Sequence, residues 1–311
     1  MTRMPERETH LLEKDLRAAL PELRLLRDEP MKHHCSFRIG GPAALFAEPA
    51  SEEELTALRR FLWKRGAEPV VIGSGTNLLI ADAGLTAQSM VIRIGEGLDA
   101  IAFDDGATVY AGAGVALSRL ALAARDRGLS GLEFAHGIPG SLGGGVAMNA
   151  GAYGGEMKDV VASARYLDAA GEVHETPDLD FAYRHSRFTT GGDGSVILGA
   201  TLCLTPGDPS EIGARMRELM ARRAASQPLD KPSAGSTFKR PANGYAAALI
   251  DGAGLKGFTI GGAQVSEKHA GFVVNAGNAT CDDVLKLMEH IQKTVETRFG
   301  VLLEPEVKIL R

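Results

Sequence analysis

Residues 131–157 read GLEFAHGIPGSLGGGVAMNAGAYGGEM, with glycine at Gly131, Gly137, Gly140, Gly143, Gly144, Gly145, Gly151, Gly154 and Gly155. Glycine costs about 0.5–1 kcal/mol per residue inside a helix or strand, so a run this dense needs a use that offsets the loss. Close approach of the backbone to a ligand is such a use. Without a Cβ in the way, successive N–H groups turn inward into an anion-binding nest suited to a phosphate or diphosphate. A plain surface loop is the alternative. The interleaved Leu132, Phe134, Ile138, Leu142, Val146 and Met148 speak against it, because a solvated linker is polar.

Upstream, the apolar run Pro69-Val70-Val71-Ile72 reads as a buried strand that enters Gly73-Ser74-Gly75-Thr76-Asn77-Leu78-Leu79 directly. This is a second candidate phosphate loop. Asn77 and Leu78 stand where a third glycine would fall, so the Rossmann fingerprint is absent. Two glycine loops far apart in sequence suggest one cofactor gripped from two sides.

Around them the chain alternates strand and helix signals. Leu11, Leu12, Leu16 and Leu20 predict a helix near 8–20. Residues 35–42 and 44–48 read as short strands. Ser51 and Glu54 form a capping box for a helix with Leu55, Leu58 and Leu62 inward, stopped at Gly66. Strands follow at 90–94 and 108–111, a helix at 116–127, and strands at 162–168 and 195–204. Asp208-Pro209 opens a helix with Ile212, Met216, Leu219 and Met220 inward; its arginines Arg215, Arg217, Arg222 and Arg223 read as a solvated face. The turn-rich residues 227–232 mark a domain boundary. Beyond it come strands at 259–265 and 271–275, a long helix at 280–299 between Thr280 and Gly300, and a strand at 307–310.

With 311 residues, 44% hydrophobic and 23% charged, the composition is that of a globular protein of about two domains. A net charge of -5 argues against a nucleic-acid partner. No apolar run is long enough to cross a bilayer and the first residues are charged, so no membrane insertion and a cytoplasmic location are expected. Cys35, Cys203 and Cys281 are scattered, without a CxxC pair, and read as reduced thiols. The histidines show no HExxH or paired spacing, so no metal is expected.

Three polar stations remain. Arg184, in residues 181–188, offers a bidentate clamp for a carboxylate, against the plainer reading of an exposed structural arginine. Ser236 lies among small residues with Lys239 and Arg240 nearby, and is otherwise a turn serine. Glu306 follows Pro305 in the last strand, where a carboxyl in a cleft would have a raised pKa.

Six blocks in order, SFRIGGPA from Ser36, GSGTNLLI from Gly73, GIPGSLGGGVAMNAGAYGGEM from Gly137, YRHSRF from Tyr183, AGSTFKRP from Ala234 and LEPEV from Leu303, resemble the UDP-N-acetylenolpyruvoylglucosamine reductase (MurB) family. The resemblance implies an α+β fold: a two-lobed FAD-binding region of the vanillyl-alcohol-oxidase (PCMH) type over 1–225, its core about 37–205, plus a smaller α+β substrate-binding domain over 226–311 that includes the C-terminal strand. It implies non-covalent FAD held by Gly73, Ser74, Gly75, Thr76, Asn77, Leu78, Gly137, Ile138, Pro139, Gly140, Ser141, Asn149 and Gly151. Arg184, Ser236 and Glu306 fall on the family's catalytic positions, and Tyr183, Lys239, Arg240, Lys268 and His269 would face a UDP-sugar. The implied reaction, in peptidoglycan precursor synthesis, passes hydride from NADPH through FAD to the vinyl carbon of UDP-N-acetylglucosamine enolpyruvate. A monomer is expected. The short interval from Arg184 to Ser236 is similar to the type II branch, which lacks a substrate-covering loop with its tyrosine. Another FAD oxidoreductase of this fold, acting on a small alcohol or sugar, and a non-catalytic nucleotide-binding protein are the alternatives.

Overall fold

The computed structural model describes residues 6–85, 90–189, 194–242 and 244–311. The first leucine periodicity forms helix α1 (Glu6–Ala19), with Leu16 fully buried. Strand Arg24–Pro30 follows and pairs antiparallel with Pro42–Glu48, whose other edge meets Val91–Arg93 and then Val70–Ile72, both parallel. Helix α2 (Glu52–Trp63) covers this sheet. Ser51 Oγ accepts from the Glu54 N–H at 3.2 Å, while the Glu54 carboxylate reaches Ala50 N at 2.7 Å rather than Ser51 N, so the capping box is displaced by one residue.

A second, antiparallel sheet has the order Val173–Thr176, Val161–Leu167, Val196–Cys203, Thr108–Gly112, Ile101–Phe103. Helices α3 (Leu117–Asp126), α4 (Leu142–Ala147) and α5 (Pro209–Ser226) accompany it. The C-terminal part carries α6 (Ala246–Gly252), the antiparallel strands Thr259–Ile260, Ala263–Val265 and Val273–Asn275, and α7 (Cys281–Phe299). The last strand, Lys308–Leu310, then returns to pair in parallel with Leu78–Ile80, directly after the first glycine loop.

Two buried clusters result. One joins α1, the α2 face of the first sheet, the second sheet and α3 to α5. The other joins the opposite face of the first sheet, through Phe46, Ile72 and Val91, and Leu79 of the strand Leu78–Ile80, to α6, α7 and the C-terminal strands.

Four expectations are corrected. Residues 35–41 are not a strand: Cys35, Phe37 and Ile39 are all buried, but from a loop in which Arg38 takes a left-handed φ of 56°. Alternation here records three side chains entering the core from a turn. Residues 259–265 are a hairpin, because Gly261 turns the chain at φ 54°. Met220 is 39% exposed, at the edge of the face that buries Ile212, Met216 and Leu219. Arg223 is half-buried and so is not part of a solvated face.

The central glycine run also divides by use. Residues 142–147 are helical, and a Cβ on Gly143 would lie 2.9 Å from that of Ala113. Those glycines let α4 approach the sheet, and residues 137–141 are left to form the loop.

Candidate active site

Arg184, Ser236 and Glu306 come from three distant segments and line one cleft of ≈ 640 Å³. Arg184 sits in a tight loop closed by reciprocal backbone hydrogen bonds between Ala182 and His185, each 3.1 Å. Its backbone is left-handed, φ 53°, a conformation that costs about 1–3 kcal/mol and persists only where its surroundings over-determine it. Asn149 supplies part of that determination. Fully buried, it donates to Ala182 O at 2.9 Å and Glu156 Oε2 at 3.0 Å and accepts from Lys158 N at 3.0 Å. The guanidinium so aimed donates from Nε to Glu306 Oε1 at 2.8 Å and from Nη2 to Gly151 O at 3.1 Å. Among the described residues Nη1 has no partner.

Glu306 is placed from both sides of its strand. Its N–H donates to Thr237 O at 2.9 Å, and its carbonyl accepts from Asn77 Nδ2 at 3.1 Å. Thr237 is itself tied to Gly271 O through its N–H and to Val273 N through its hydroxyl, both at 2.9 Å. Ser236 therefore precedes a pinned residue, and its own hydroxyl has no hydrogen-bond partner among the described residues. Burial raises the Glu306 pKa above its ordinary 4.5, outweighing the opposite pull of Arg184 and Lys239. Burial likewise lowers the pKa of His269, which lines the cleft as a neutral imidazole whose Nδ1 accepts from Gly271 N.

The two glycine loops face each other. Thr76 Oγ1 donates to Pro139 O at 3.0 Å, and a Cβ on Gly73 would stand 2.5 Å from Ser141 Oγ. Gly75 takes φ 64°, with its missing Cβ only 2.1 Å from His34 O, so no other residue fits there. Among the described residues the N–H groups of Ser74, Gly75, Thr76 and Gly140 meet no acceptor, and the Ser141 hydroxyl, 3% exposed, has no partner. Unspent donors around a cradle shaped by absent side chains fit the diphosphate of FAD. Ile138 and Pro139 complete the second loop, and Leu78 leaves the first as the start of its strand.

The other residues singled out from sequence are placed less uniformly. Tyr183 and Arg240 line the cleft, the Tyr183 hydroxyl accepting from Arg240 N at 3.2 Å. Lys239 pairs with Glu304 at 3.1 Å, and Lys268 Nζ donates to Ala224 O at 2.6 Å, at the end of α5; neither lines the cleft. Sequence reasoning missed Tyr245, which lines it with its ring 4.1 Å beneath the Arg240 guanidinium, and Tyr153 and Glu156 in the hairpin 151–156. An exposed aromatic four residues before Leu249 was the available signal for Tyr245; the hairpin carried none beyond its glycines.

Comparison with known proteins gives matches over nearly the whole chain. The family model described as UDP-N-acetylenolpyruvoylglucosamine reductase, C-terminal domain, matches residues 227–310, and an FAD binding domain model matches residues 43–177. A protein of Agathobacter rectalis named UDP-N-acetylenolpyruvoylglucosamine reductase is 48% identical over 310 residues, covering 96% of this chain and 97% of its own. One of the same name from Caldanaerobacter subterraneus is 46% identical over 297 residues, covering 95% and 96%. The crystal structure of UDP-N-acetylenolpyruvylglucosamine reductase (MurB) from Thermus caldophilus superposes with a TM-score of 0.77 at 34% identity, covering 93% of this chain and 99% of that one.

Proposed function

The chain belongs to the UDP-N-acetylenolpyruvoylglucosamine reductase family, and on that footing we propose that Arg184, Ser236 and Glu306 carry its reaction. The enzyme is an FAD-dependent oxidoreductase of peptidoglycan precursor synthesis that reduces UDP-N-acetylglucosamine enolpyruvate to UDP-N-acetylmuramate, with NADPH as hydride donor. When bound, FAD supplies reversible hydride transfer. Gly73 to Leu78 and Gly137 to Ser141, with Gly151, would hold it. Asn149 acts behind them by fixing the loop that presents Arg184.

The substrate is a vinyl ether conjugated to a carboxylate. Hydride arriving at the terminal carbon leaves negative charge on the adjacent carbon and the carboxylate. Arg184, with Nη1 unspent, stabilises that charge as it develops. The incoming carboxylate also competes with Glu306 for Arg184, which pushes the Glu306 pKa further up and favours a neutral carboxyl able to donate a hydrogen bond. Ser236 then protonates the adjacent carbon. A serine hydroxyl is a weak acid, so it serves only because a carbanion-like centre is strongly basic.

Support comes from one observation above all: three segments far apart in sequence bring a guanidinium, an unbonded hydroxyl and a carboxyl of raised pKa to one cleft. Arg240, Tyr183 and His269, with Lys239 and Lys268 further out, are assigned to the UDP moiety. Residues 226–311 are taken as the substrate-binding domain and 1–225 as the FAD-binding region. A monomer in the cytoplasm is part of this reading; Cys35, Cys203 and Cys281 are free thiols. No helix among the described residues is long and apolar enough to cross a membrane.

Ser236→Ala tests the assignment in separated half-reactions. Flavin reduction by NADPH is expected to stay within about twofold, while reoxidation by substrate slows by about 10²–10⁴, the usual worth of general acid catalysis. Equal damage to both overturns the role.

A further inference from the structure

Ser236 stands between two posts supplied by different parts of the chain. Downstream is Thr237, tied to Gly271 O and Val273 N of the C-terminal part. Upstream is Ser233, three residues before Ser236, whose carbonyl accepts from the Ser36 hydroxyl at 2.6 Å across 197 positions of sequence. The same Ser36 reaches the first glycine loop, its N–H donating to Gly75 O at 3.1 Å. One residue thus spans the loop assigned to the cofactor and the segment that carries the candidate proton donor.

Other contacts converge on this junction. Asn275 N donates to Pro232 O at 2.8 Å and Asn275 Nδ2 to Phe37 O at 3.3 Å, while Ser233 pairs with Val274, so residues 36–37, 232–233 and 274–275 meet at one point. Ala234 is buried in the same cluster as Cys35 and Phe37. The next residue is held differently. Gly235 takes φ 76°, with nothing within 4 Å of the place where a Cβ would stand, so packing does not steer the step into Ser236 there. Core contacts set the depth of this segment; the directional hydrogen bond at Ser233 sets its orientation.

We propose that Ser36 is a positioning residue for the proton-transfer step, its hydroxyl fixing the register of Ser236 against the first glycine loop and so against the reacting carbon. The inference rests on Ser236 as the proton donor. Proton transfer needs that hydroxyl within hydrogen-bond reach of its target, and a misplacement of about 1 Å made far from the chemistry costs about 10²-fold. Reduction of the flavin by NADPH makes no use of Ser236 and is insulated from the change.

The test compares full-length holoproteins in separated half-reactions: wild type, Ser36→Ala, Ser36→Thr, Ser236→Ala and the double variant of Ser36→Ala with Ser236→Ala, each first assayed for bound FAD. Ser36→Ala keeps the N–H to Gly75 O and removes the hydroxyl. Flavin reduction by NADPH is expected to stay within about twofold, and reoxidation at saturating substrate to slow by about 10- to 100-fold with the half-saturating concentration unchanged within about twofold. Ser36→Thr, which returns a hydroxyl, regains most of the rate. In the Ser236→Ala background Ser36→Ala has no further effect, because its action passes through Ser236; a general loosening would multiply with it. Reoxidation within about twofold of wild type in Ser36→Ala, equal damage to both half-reactions, Ser36→Thr no faster than Ser36→Ala, or a multiplied loss in the double variant each overturns the proposal. So does a Ser36→Ala protein that fails to fold or to retain FAD, since the hydroxyl would then serve the fold and not the proton. Ser236→Ala reoxidised at the wild-type rate overturns the parent assignment instead.

Discussion

Glu306 stands between two opposed forces, desolvation that favours its neutral form and the Arg184 guanidinium 2.8 Å away that favours the charged one, and desolvation prevails. The sign of the pH dependence follows. Unfolded, the carboxyl titrates near 4.5; folded, it holds its proton to higher pH. Between those values the folded protein binds more protons than the unfolded chain, so this group makes stability fall as pH rises across that window. Catalysis that needs neutral Glu306 falls over an alkaline limb in the same direction. Glu306→Gln keeps a neutral donor and removes the titration. Stopped-flow reoxidation against pH should therefore lose that limb in the variant, with the plateau lowered by about tenfold; a limb that survives the substitution belongs to another group. Arg184, Ser236 and Glu306 were visible in sequence because each lies in a block with its own composition. The hold of Asn149 on the Arg184 loop and the burial of Arg223 were not. The role of Asn149 depends on Ala182, far along the chain, and the burial of Arg223 depends on where residues 131–141 pack, which helical periodicity does not report.

Helix α7 shows what local sequence does determine. Thr280 Oγ1 accepts from Asp283 N at 3.0 Å and Asp283 Oδ2 accepts from Thr280 N at 3.0 Å, a complete capping box, and Gly300 closes the far end at φ 66°. Asp283 also accepts from Gly262 N at 3.2 Å, joining the helix to the hairpin turn beside it. Thr280→Ala is expected to cost about 1 kcal/mol in denaturant unfolding, the usual worth of a cap. Asp283→Ala should cost about 1–3 kcal/mol, because the Gly262 donor is left unsatisfied as well. Equal losses would mean that the hairpin contact contributes nothing. Helices α1, α2, α3, α5 and α7 were legible from caps and stripes of this kind. Helix α4 was not, because glycine in its helical role, close packing, has the same letters as glycine in a phosphate loop. Strand Arg24–Pro30 was missed for a related reason: its charged residues break the alternation, and its pairing with Pro42–Glu48 holds it in place.

The chain crosses its own apparent boundary. Residues 226–311 read as a separate unit, yet their buried side chains form one cluster with Phe46, Ile72 and Val91 of the first sheet and with Leu79, and the last strand pairs beside the first glycine loop. Asp82 adds a polar tie, its carboxylate accepting from Cys281 N at 2.8 Å and Asp282 N at 3.1 Å at the start of α7. This continuity carries function, since Asn77 of the loop and Glu306 of the cleft are held in register by Lys308 N donating to Asn77 O at 2.9 Å and Asn77 Nδ2 to Glu306 O at 3.1 Å. Chains of this length often unfold in steps. A shared core argues for coupling here, so calorimetry of the holoprotein should give one main transition, and added FAD should raise it as the logarithm of free FAD over Kd. Asp82→Ala, which leaves two N–H groups without their acceptor, is expected to cost about 1–3 kcal/mol and to lower that same transition by a few degrees without splitting it. A second transition that ignores FAD and alone responds to Asp82→Ala would mean that the C-terminal part folds independently and that the register between Asn77 and Glu306 is set only when substrate closes the cleft.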